Sequence, residues 1–364
     1  MVDKKSIFDG IKRKLRRLKI DALLVSSPVN IEYLTGFFTD GAMVLILQKG
    51  EPVCFFGGMN ETLAKKFLKG ADLRLVSSKG SIARDLADFL RDEKIKTLGI
   101  NDRKISVEWY NILLGFKGAR KIVSHIDGVN LREILEQARE IKTATEIKIL
   151  RKAAKITVRI WKNIAERVTV GMTELEIARM VNSNIRELGY ENSFQTIAAI
   201  GENTAYPHAI PTSRRLKKNE HLLVDFGIKM DGYCSDLTRT LYNGKMNPQI
   251  EDFNKLVLKA QKEAIKKVSP GVLLSSVAEG INELFFASGV EGYILHGAGH
   301  GVGREVHEEP FFRGKSKKRF KKGMIITIEP GLYKVGVGGV RREDMILVTE
   351  TGNEVLTDDN RETI

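Results

Sequence analysis

HLLVDFGIKMDGYCSDLTRTL, residues 221–241, holds two aspartates eleven residues apart, Asp225 and Asp236. Two apolar runs flank Met230-Asp231-Gly232, the composition of a tight turn between strands. Folding there sets the two carboxylates opposite each other, or within a residue of it. Directly opposed side chains on one face of an antiparallel pair have Cβ atoms only ~5 Å apart. Two carboxylates that close repel unless a proton or a cation lies between them. The hairpin therefore asks for a metal, and for more ligands elsewhere in the chain.

Three further carboxylate or imidazole groups lie downstream. His300 stands in LHGAGHGVGREVHEEP, Glu329 ends the apolar run MIITIEP, and Glu343 lies in the strand pattern GVGGVRREDMILVTE. One imidazole with four carboxylates suits a pair of divalent ions such as Mn2+, Co2+ or Zn2+. Ions ~3.5–4 Å apart can activate one water and polarise a carbonyl together. Each residue alone is weak evidence, and Glu343 could simply pair with Arg341 or Arg342. Context lifts the set: Asp225, Glu329 and Glu343 adjoin or lie within apolar strands, where an unpaired carboxylate is costly. Histidine usage points the same way. Of six histidines, His296, His300 and His307 fall within twelve residues, and His208 sits in NTAYPHAIP just before the hairpin. Neutral His can hydrogen-bond a scissile carbonyl, and His+ can stabilise a developing oxyanion. His125 and His221 read as satisfied loop histidines.

At 364 residues, two domains are expected, and 42% apolar with 29% charged residues describe a soluble globular protein. No apolar run approaches the ~20 residues that span a bilayer, and the N-terminus lacks the apolar core of a secretory signal. Cys54 and Cys234, the two cysteines, fall in different expected domains; a reducing cytoplasm is the expected location. The net charge of +13 resides in two segments: residues 1–20, with eight Lys/Arg against two Asp, and 313–322, with seven and no acid. With Phe8 and Phe320 the sole aromatics there, no stacking platform forms. The runs read as a solvated helix face and a solvated loop rather than a nucleic-acid surface.

Residues 1–127 alternate strand patterns (21–27, 42–48, 52–58, 74–78, 97–100 and 121–125) with helical stretches such as 60–70 and 81–93, a small α/β domain. Residues 128–364 read as a second domain of α+β class. A helical region over 131–168 is broken by Thr143-Ala-Thr-Glu146, which has capping-box spacing. Thr173-Glu-Leu-Glu176 caps another helix ended by Gly189. Asn247-Pro248 opens the next, and Ser276-Val-Ala-Glu279 is expected to cap the last, closed by Gly289. Two helices followed by strands thus occur twice, over roughly 143–242 and 247–349, an internal repeat consistent with two halves around one site.

With these residues in place, NTAYPHA, LLVDFGIKMDGYCSDLTRT, HGAGHGVGREVHEEP, ITIEPGLY and GVRREDMILVT together resemble the pita-bread metallopeptidases, in the branch of Xaa-Pro aminopeptidases and Xaa-Pro dipeptidases (prolidases). The resemblance spans essentially the whole chain, DALLVSSPVNIEYLTGF being similar to the start of that branch's creatinase-type N-terminal domain. It implies a dinuclear exopeptidase holding two divalent ions, Mn2+ or Co2+ before Zn2+, on Asp225, Asp236, His300, Glu329 and Glu343. Asp236 and Glu343 would bridge both ions, Asp225 would complete one, and His300 and Glu329 the other. It assigns substrate handling to His208, His296 and His307, and matches Arg341 and Tyr333 to the family's GVRxED and EPGLY patterns. Metal-bound hydroxide would attack the Xaa-Pro carbonyl while Glu329 shuttles the proton. Arg342 departs from the family, which usually has an aliphatic residue there; its side chain should point away from the metals.

The expected activity is Xaa-Pro aminopeptidase, on short peptides with proline second, with prolidase the alternative. Methionine aminopeptidase, a rival of the same fold, fits the Glu343-Asp344 pair and EPGLY less well. Creatine-hydrolysing relatives lack the metal set. A non-catalytic module binding protein or nucleic acid would typically have lost ligands, and here none is lost. The resemblance also implies a homodimer, with an N-terminal domain serving dimerisation and substrate access.

Overall fold

Asp231 and Gly232 both take positive φ, 50° and 77°, the requirement of a two-residue type I′ turn. In this computed structural model Met230 faces Tyr233 and Lys229 faces Cys234. The same register resumes beyond Gly227, where Asp225 faces Thr238 and Phe226 faces Leu237. The expected opposition of Asp225 and Asp236 is thus corrected. The loop holds two residues rather than three, so Asp236 falls opposite Gly227 and diagonal to Asp225 on the same face.

The structure describes residues 4–37, 39, 41–68, 73–100, 105, 107–115, 121–123, 125–126, 129–312 and 316–359. Ser124 of the last expected N-terminal strand, residues 69–70 of an expected helix, and 313–315 of the basic run lie outside them. The chain divides into two compact units, Met1–Arg139 and Glu140–Ile364, rather than at 127/128. The reason is packing: Leu131, Ile134 and Leu135 belong to the first unit's core with Phe8 and Leu15, and the Tyr33 hydroxyl donates to the Ala138 carbonyl at 3.1 Å.

The first unit runs α1 (Lys4–Arg17), β1 (Ala22–Val25), α2 (Pro28–Thr35), β2 (Met43–Leu47), β3 (Val53–Gly57), α3 (Glu61–Phe67), β4 (Arg74–Ser78), α4 (Ile82–Asp92), β5 (Thr97–Ile100), α5 (Val107–Gly115), β6 (Lys121–Val123), a hairpin of β7 (His125–Ile126) and β8 (Val129–Asn130), and α6 (Glu133–Glu140). Its mixed sheet has the order β4-β3-β2-β1-β5-β6. Alternate β1 residues enter opposite cores, Leu23 and Val25 on one side and Ala22 and Leu24 on the other. A sheet covered on both faces explains why its strands read as unbroken apolar runs. α1 buries Phe8, Ile11 and Leu15 and turns Lys5, Arg13, Arg16 and Arg17 outward.

The second unit begins with α7 (Ala144–Arg167) and α8 (Glu174–Glu187). It continues through β9 (Glu191–Asn192), β10 (Ile197–Ile200), β11 (His221–Phe226), β12 (Ile228–Met230), β13 (Tyr233–Cys234) and β14 (Leu237–Tyr242). Its other half has α9 (Pro248–Lys267), α10 (Leu274–Ala287), β15 (Ile325–Ile328), β16 (Gly331–Lys334), β17 (Gly338–Arg341), β18 (Asp344–Val348) and β19 (Asn353–Val355). Thr143 and Thr173 form complete capping boxes with Glu146 and Glu176, each side-chain cap worth about 1 kcal/mol. Ser276 does not cap. Helix α10 starts three residues earlier, with Leu273 at its N-cap and the Ser276 hydroxyl donating back to the Leu273 carbonyl.

The repeat is geometric. α8 and α10 start at 174 and 274, preceded by Gly171 and Gly271 (φ 94° and 88°) and followed by Gly189 and Gly289 (φ 79° and 66°). Isolated bridges join Thr173 to Arg215 in one half and Leu273 to Arg319 in the other. The Arg215 guanidinium donates to the Gly171 carbonyl at 2.7 Å and that of Arg319 to Gly271 at 2.6 Å. Arg319 of the basic run is therefore a structural residue. Lys318 pairs with Glu140 and Glu309, and Lys322 with Glu350. Cys54 and Cys234 are buried free thiols in different units. Among the described residues no helix is long and apolar enough to cross a membrane.

Candidate metal centre

Strand ends from both halves of the second unit deliver the carboxylates. Asp225 lies in β11, and Asp236 sits just before β14, where a Cβ on Gly227 would overlap the Ser235 carbonyl. Glu329 follows β15. Glu343 precedes β18 and bridges to Thr238, its amide donating to the Thr238 carbonyl at 3.2 Å. His300 lies on a segment laid along β15: the Thr327 amide donates to its carbonyl at 2.7 Å, and the Glu329 amide to that of Ala298 at 2.9 Å. A Cβ on Gly299 would overlap the Thr327 carbonyl, which accounts for glycine beside His300.

The side chains converge. His300 Nε2 lies 3.3 Å from Glu329 Oε1, 3.7 Å from Asp236 Oδ2 and 3.9 Å from Glu343 Oε1. Ligand atoms of Asp236, His300 and Glu343 all fall within 4.8 Å of one another, and all three residues are buried. Asp225 Oδ2 accepts from Arg341 Nη2 at 2.7 Å. Its Oδ1 is buried and has no hydrogen-bond partner among the described residues.

Burial, then the mutual repulsion of neighbouring carboxylates, pushes the Asp236 and Glu343 pKa values well above the usual range. Burial raises Glu329 to about 8. It also raises Asp225, against the pull of Arg341. Burial and then His307 push His300 down to about 3, so its imidazole is neutral. With Nδ1 donating to the Gly301 carbonyl at 3.1 Å, Nε2 keeps its lone pair toward the carboxylates. A neutral imidazole, four carboxylates and a bare buried oxygen fit one or more divalent cations of the Mn2+, Co2+, Zn2+ type.

A second layer fixes this set. Thr238 Oγ1 donates to Glu343 Oε2 at 2.8 Å and accepts from Arg341 Nε at 3.1 Å. Arg341 Nη1 donates to the Tyr333 hydroxyl at 2.8 Å and to the Pro207 carbonyl at 3.3 Å. Tyr333 in turn donates to His296 Nε2 at 2.7 Å, while His296 Nδ1 donates to the Gly297 carbonyl at 2.8 Å. Burial and then Arg341 lower His296 to about 4. His307 sets its ring edge-on to His300, centroids 4.3 Å apart. His208, His296 and His307 line one cavity of about 380 Å³ with the five ligand candidates and Arg341. Every site residue expected from the sequence therefore meets here. Arg342 turns away as expected, its Nη2 donating to Asp359 at 3.0 Å. Thr238 was missed by the sequence reading. The available signal was its place two residues after Asp236, on the same strand face.

Raised carboxylate pKa values have a thermodynamic sign. Folded metal-free protein binds protons at Asp236, Glu343 and Glu329 that the unfolded chain releases above about pH 4.5, so this contribution to stability falls as pH rises toward about 8. Thermal melts of chelated protein from pH 6.5 to 8, above the range where the unfolded chain protonates histidines that stay neutral in the fold, should show a falling Tm, and melts with Mn2+ should lose that trend. A chelated Tm that climbs with pH would overturn the assignment.

Residues 148–350 match metallopeptidase family M24, and residues 8–141 match the Creatinase/Prolidase N-terminal domain. The chain belongs to metallopeptidase family M24. This metallopeptidase is 31% identical to the uncharacterized peptidase YqhT of Bacillus subtilis, over 98% of this chain and 99% of that one. In structure it is similar to an Xaa-Pro dipeptidase from Bacillus anthracis, with a TM-score of 0.93, 28% identity and coverage of 100% and 99%. It is also similar to a prolidase from Pyrococcus horikoshii, with a TM-score of 0.91, 29% identity and coverage of 99% and 100%. The expected pita-bread architecture, behind a creatinase-type N-terminal domain, stands.

Proposed function

We propose that this metallopeptidase holds two divalent ions on Asp225, Asp236, His300, Glu329 and Glu343 and hydrolyses the Xaa-Pro bond at peptide N-termini, as an Xaa-Pro aminopeptidase. The observation that carries this reading is the convergence of four carboxylates on one neutral imidazole, with an unpartnered Asp225 oxygen, in a single cavity. Asp236 and Glu343 would serve both ions, Asp225 would hold one, and His300 with Glu329 would hold the other. The short distances from His300 to Glu329, Asp236 and Glu343 support that division, as does the turn of Asp225 toward Arg341.

Bound divalent ions lower the pKa of water and polarise a carbonyl. The chain's residues do the rest. Glu329 takes a proton and returns it to the leaving nitrogen. His208 and His307 meet the scissile carbonyl and the negative charge that develops on its oxygen, while His296, its two ring nitrogens taken by Gly297 and Tyr333, lines the cavity beside them. Arg341 orients Asp225 and, through Tyr333, His296. Proline offers no N–H, so its ring must be held by shape and apolar contact. Phe194, Ile197, Ile210 and Val306 supply such a lining.

Among the described lining residues Arg341 is the one Lys or Arg, and its nitrogens already serve Asp225, Thr238, Tyr333 and Pro207. A dipeptide's C-terminal carboxylate would find no spare cation there, which favours longer peptides. The dipeptidase reading draws its support from the two solved relatives named above. Chelated protein should lose at least about a hundred-fold in activity and regain it with Mn2+ or Co2+. With metal restored, Ala-Pro-Ala should be cleaved faster than Ala-Pro. Cleavage of Ala-Pro alone would make the protein a prolidase, and full activity without metal would end the mechanism. The free thiols support a cytoplasmic location. The N-terminal unit is taken as non-catalytic, since the metal-capable group found among the described residues lies wholly in the other unit; its part in a homodimer rests on the resemblance alone.

A further inference from the structure

Glu174, the first residue of α8, is buried, and both its oxygens are engaged outside the helix. Oε1 accepts from the Ile200 amide at 2.7 Å and from Asn203 Nδ2 at 2.9 Å. Oε2 accepts from the Thr212 amide at 2.8 Å and its hydroxyl at 2.6 Å. One carboxylate thus holds the two ends of the segment between Ile200 and Thr212, the segment that brings Pro207, His208 and Ile210 to the cavity.

The repeat supplies a control. Leu274 occupies the equivalent position in the second half. The backbone connection is the same: the Glu174 amide donates to the Arg214 carbonyl at 3.1 Å, and the Leu274 amide to the Lys318 carbonyl at 3.0 Å. A helix start of this shape therefore forms without a carboxylate, so the Glu174 bonds are not what the helix needs. A buried carboxylate is costly unless its acceptor sites are filled, and here the filling groups come from the ends of the His208 segment. Arg341, donating to the Pro207 carbonyl, holds the middle of the same segment.

We propose that Glu174 is a positioning residue for substrate binding: it latches the 200–212 segment so that His208 and the apolar wall around it are preset in the cavity. This rests on the reading above for what His208 does to substrate, whereas the latch can be measured without substrate. Glu174→Leu installs the residue of the second half. In Mn2+-loaded protein, hydrogen exchange at 200–212 should speed up markedly while α8 stays protected. Mn2+ affinity by calorimetry should change less than about two-fold, because the segment carries none of the proposed ligands. KM for Ala-Pro-Ala should rise about ten-fold with a smaller change in kcat. In a His208→Ala background the same substitution should add little to KM. Glu174→Gln keeps an acceptor for Ile200 and Asn203 but turns an amide donor toward Thr212. It should loosen mainly the Thr212 end, and it carries the test if the leucine variant does not fold. Unchanged exchange at 200–212 overturns the latch. Faster exchange with unchanged KM, with lost Mn2+ binding, or with KM effects that add to His208→Ala overturns the positioning role. An unmutated enzyme inactive on Xaa-Pro peptides would refute the substrate assignment and leave the exchange result standing.

Discussion

Asp236→Ala is expected to remove both divalent ions and to lower kcat/KM by at least about a thousand-fold, equivalent to ~4 kcal/mol of transition-state stabilisation. Asp225→Ala should chiefly weaken one ion. The difference follows from placement. Asp236 shares its space with His300 at 3.7 Å, and its charge is felt first by Glu343 and then by Asp225 and Glu329. Asp225 is diagonal to it and already half engaged by Arg341. Stability should move the other way. Removing one of several mutually repelling buried carboxylates relieves metal-free protein of the cost of protonating that group on folding, so the chelated Tm of Asp236→Ala should equal or exceed that of the unmutated chain. Metal content per chain and calorimetric titration with Mn2+ distinguish the variants. Equal loss of both ions in the two would show that the division of roles is wrong.

Arg239→Met should cost about 3–5 kcal/mol, because it strands buried carboxylates that lose their partner. The guanidinium is almost fully buried and uses every nitrogen: toward Asp359 at 2.9 Å, Asp344 at 2.7 Å, and the carbonyls of Thr238 at 3.0 Å, Glu343 at 2.6 Å and Thr357 at 2.9 Å. It ties the strand of Asp236 to the residue that leads β18 and to the chain's last described segment. At roughly 2–4 °C per kcal/mol for a unit of this size, Tm should fall by about 6–20 °C. Neutralising Asp344 and Asp359 to Asn in the same chain should recover part of the loss. A fall under about 2 °C in the metal-loaded single variant would show that the network contributes little.

What was legible in the sequence was local or periodic. Asp231-Gly232 announced a hairpin, two threonine capping boxes announced α7 and α8, and the apolar runs of the first unit announced its strands. Register was harder. Whether two or three residues form the loop decides which side chain faces Asp225, and φ at Asp231 settles it. The start of α10 was misplaced because nothing adjacent caps it; the partner is the backbone of Lys318, forty-four residues away in sequence. The domain boundary moved because an amphipathic helix does not state which core it joins. Among site residues, the ligand types were readable from carboxylates in apolar strands. Thr238 and Glu174 were not, since a threonine in a strand and a glutamate in a first helical turn are ordinary until their partners are known.

The hundred-residue offset between the halves bears on where such a site comes from. Asp225, near the end of β11, and Glu329, just beyond β15, come one from each half and line the same cavity. A single half, alone, would carry only part of the donor set, so an unfused ancestor would have had to associate about a twofold axis with a second copy of itself to complete it. Fusion into one chain removes that symmetry requirement. Each half can then change by itself: aspartate here and glutamate there, a carboxylate at 174 and a leucine at 274. Asymmetric chemistry at a nearly symmetric centre is what that freedom permits.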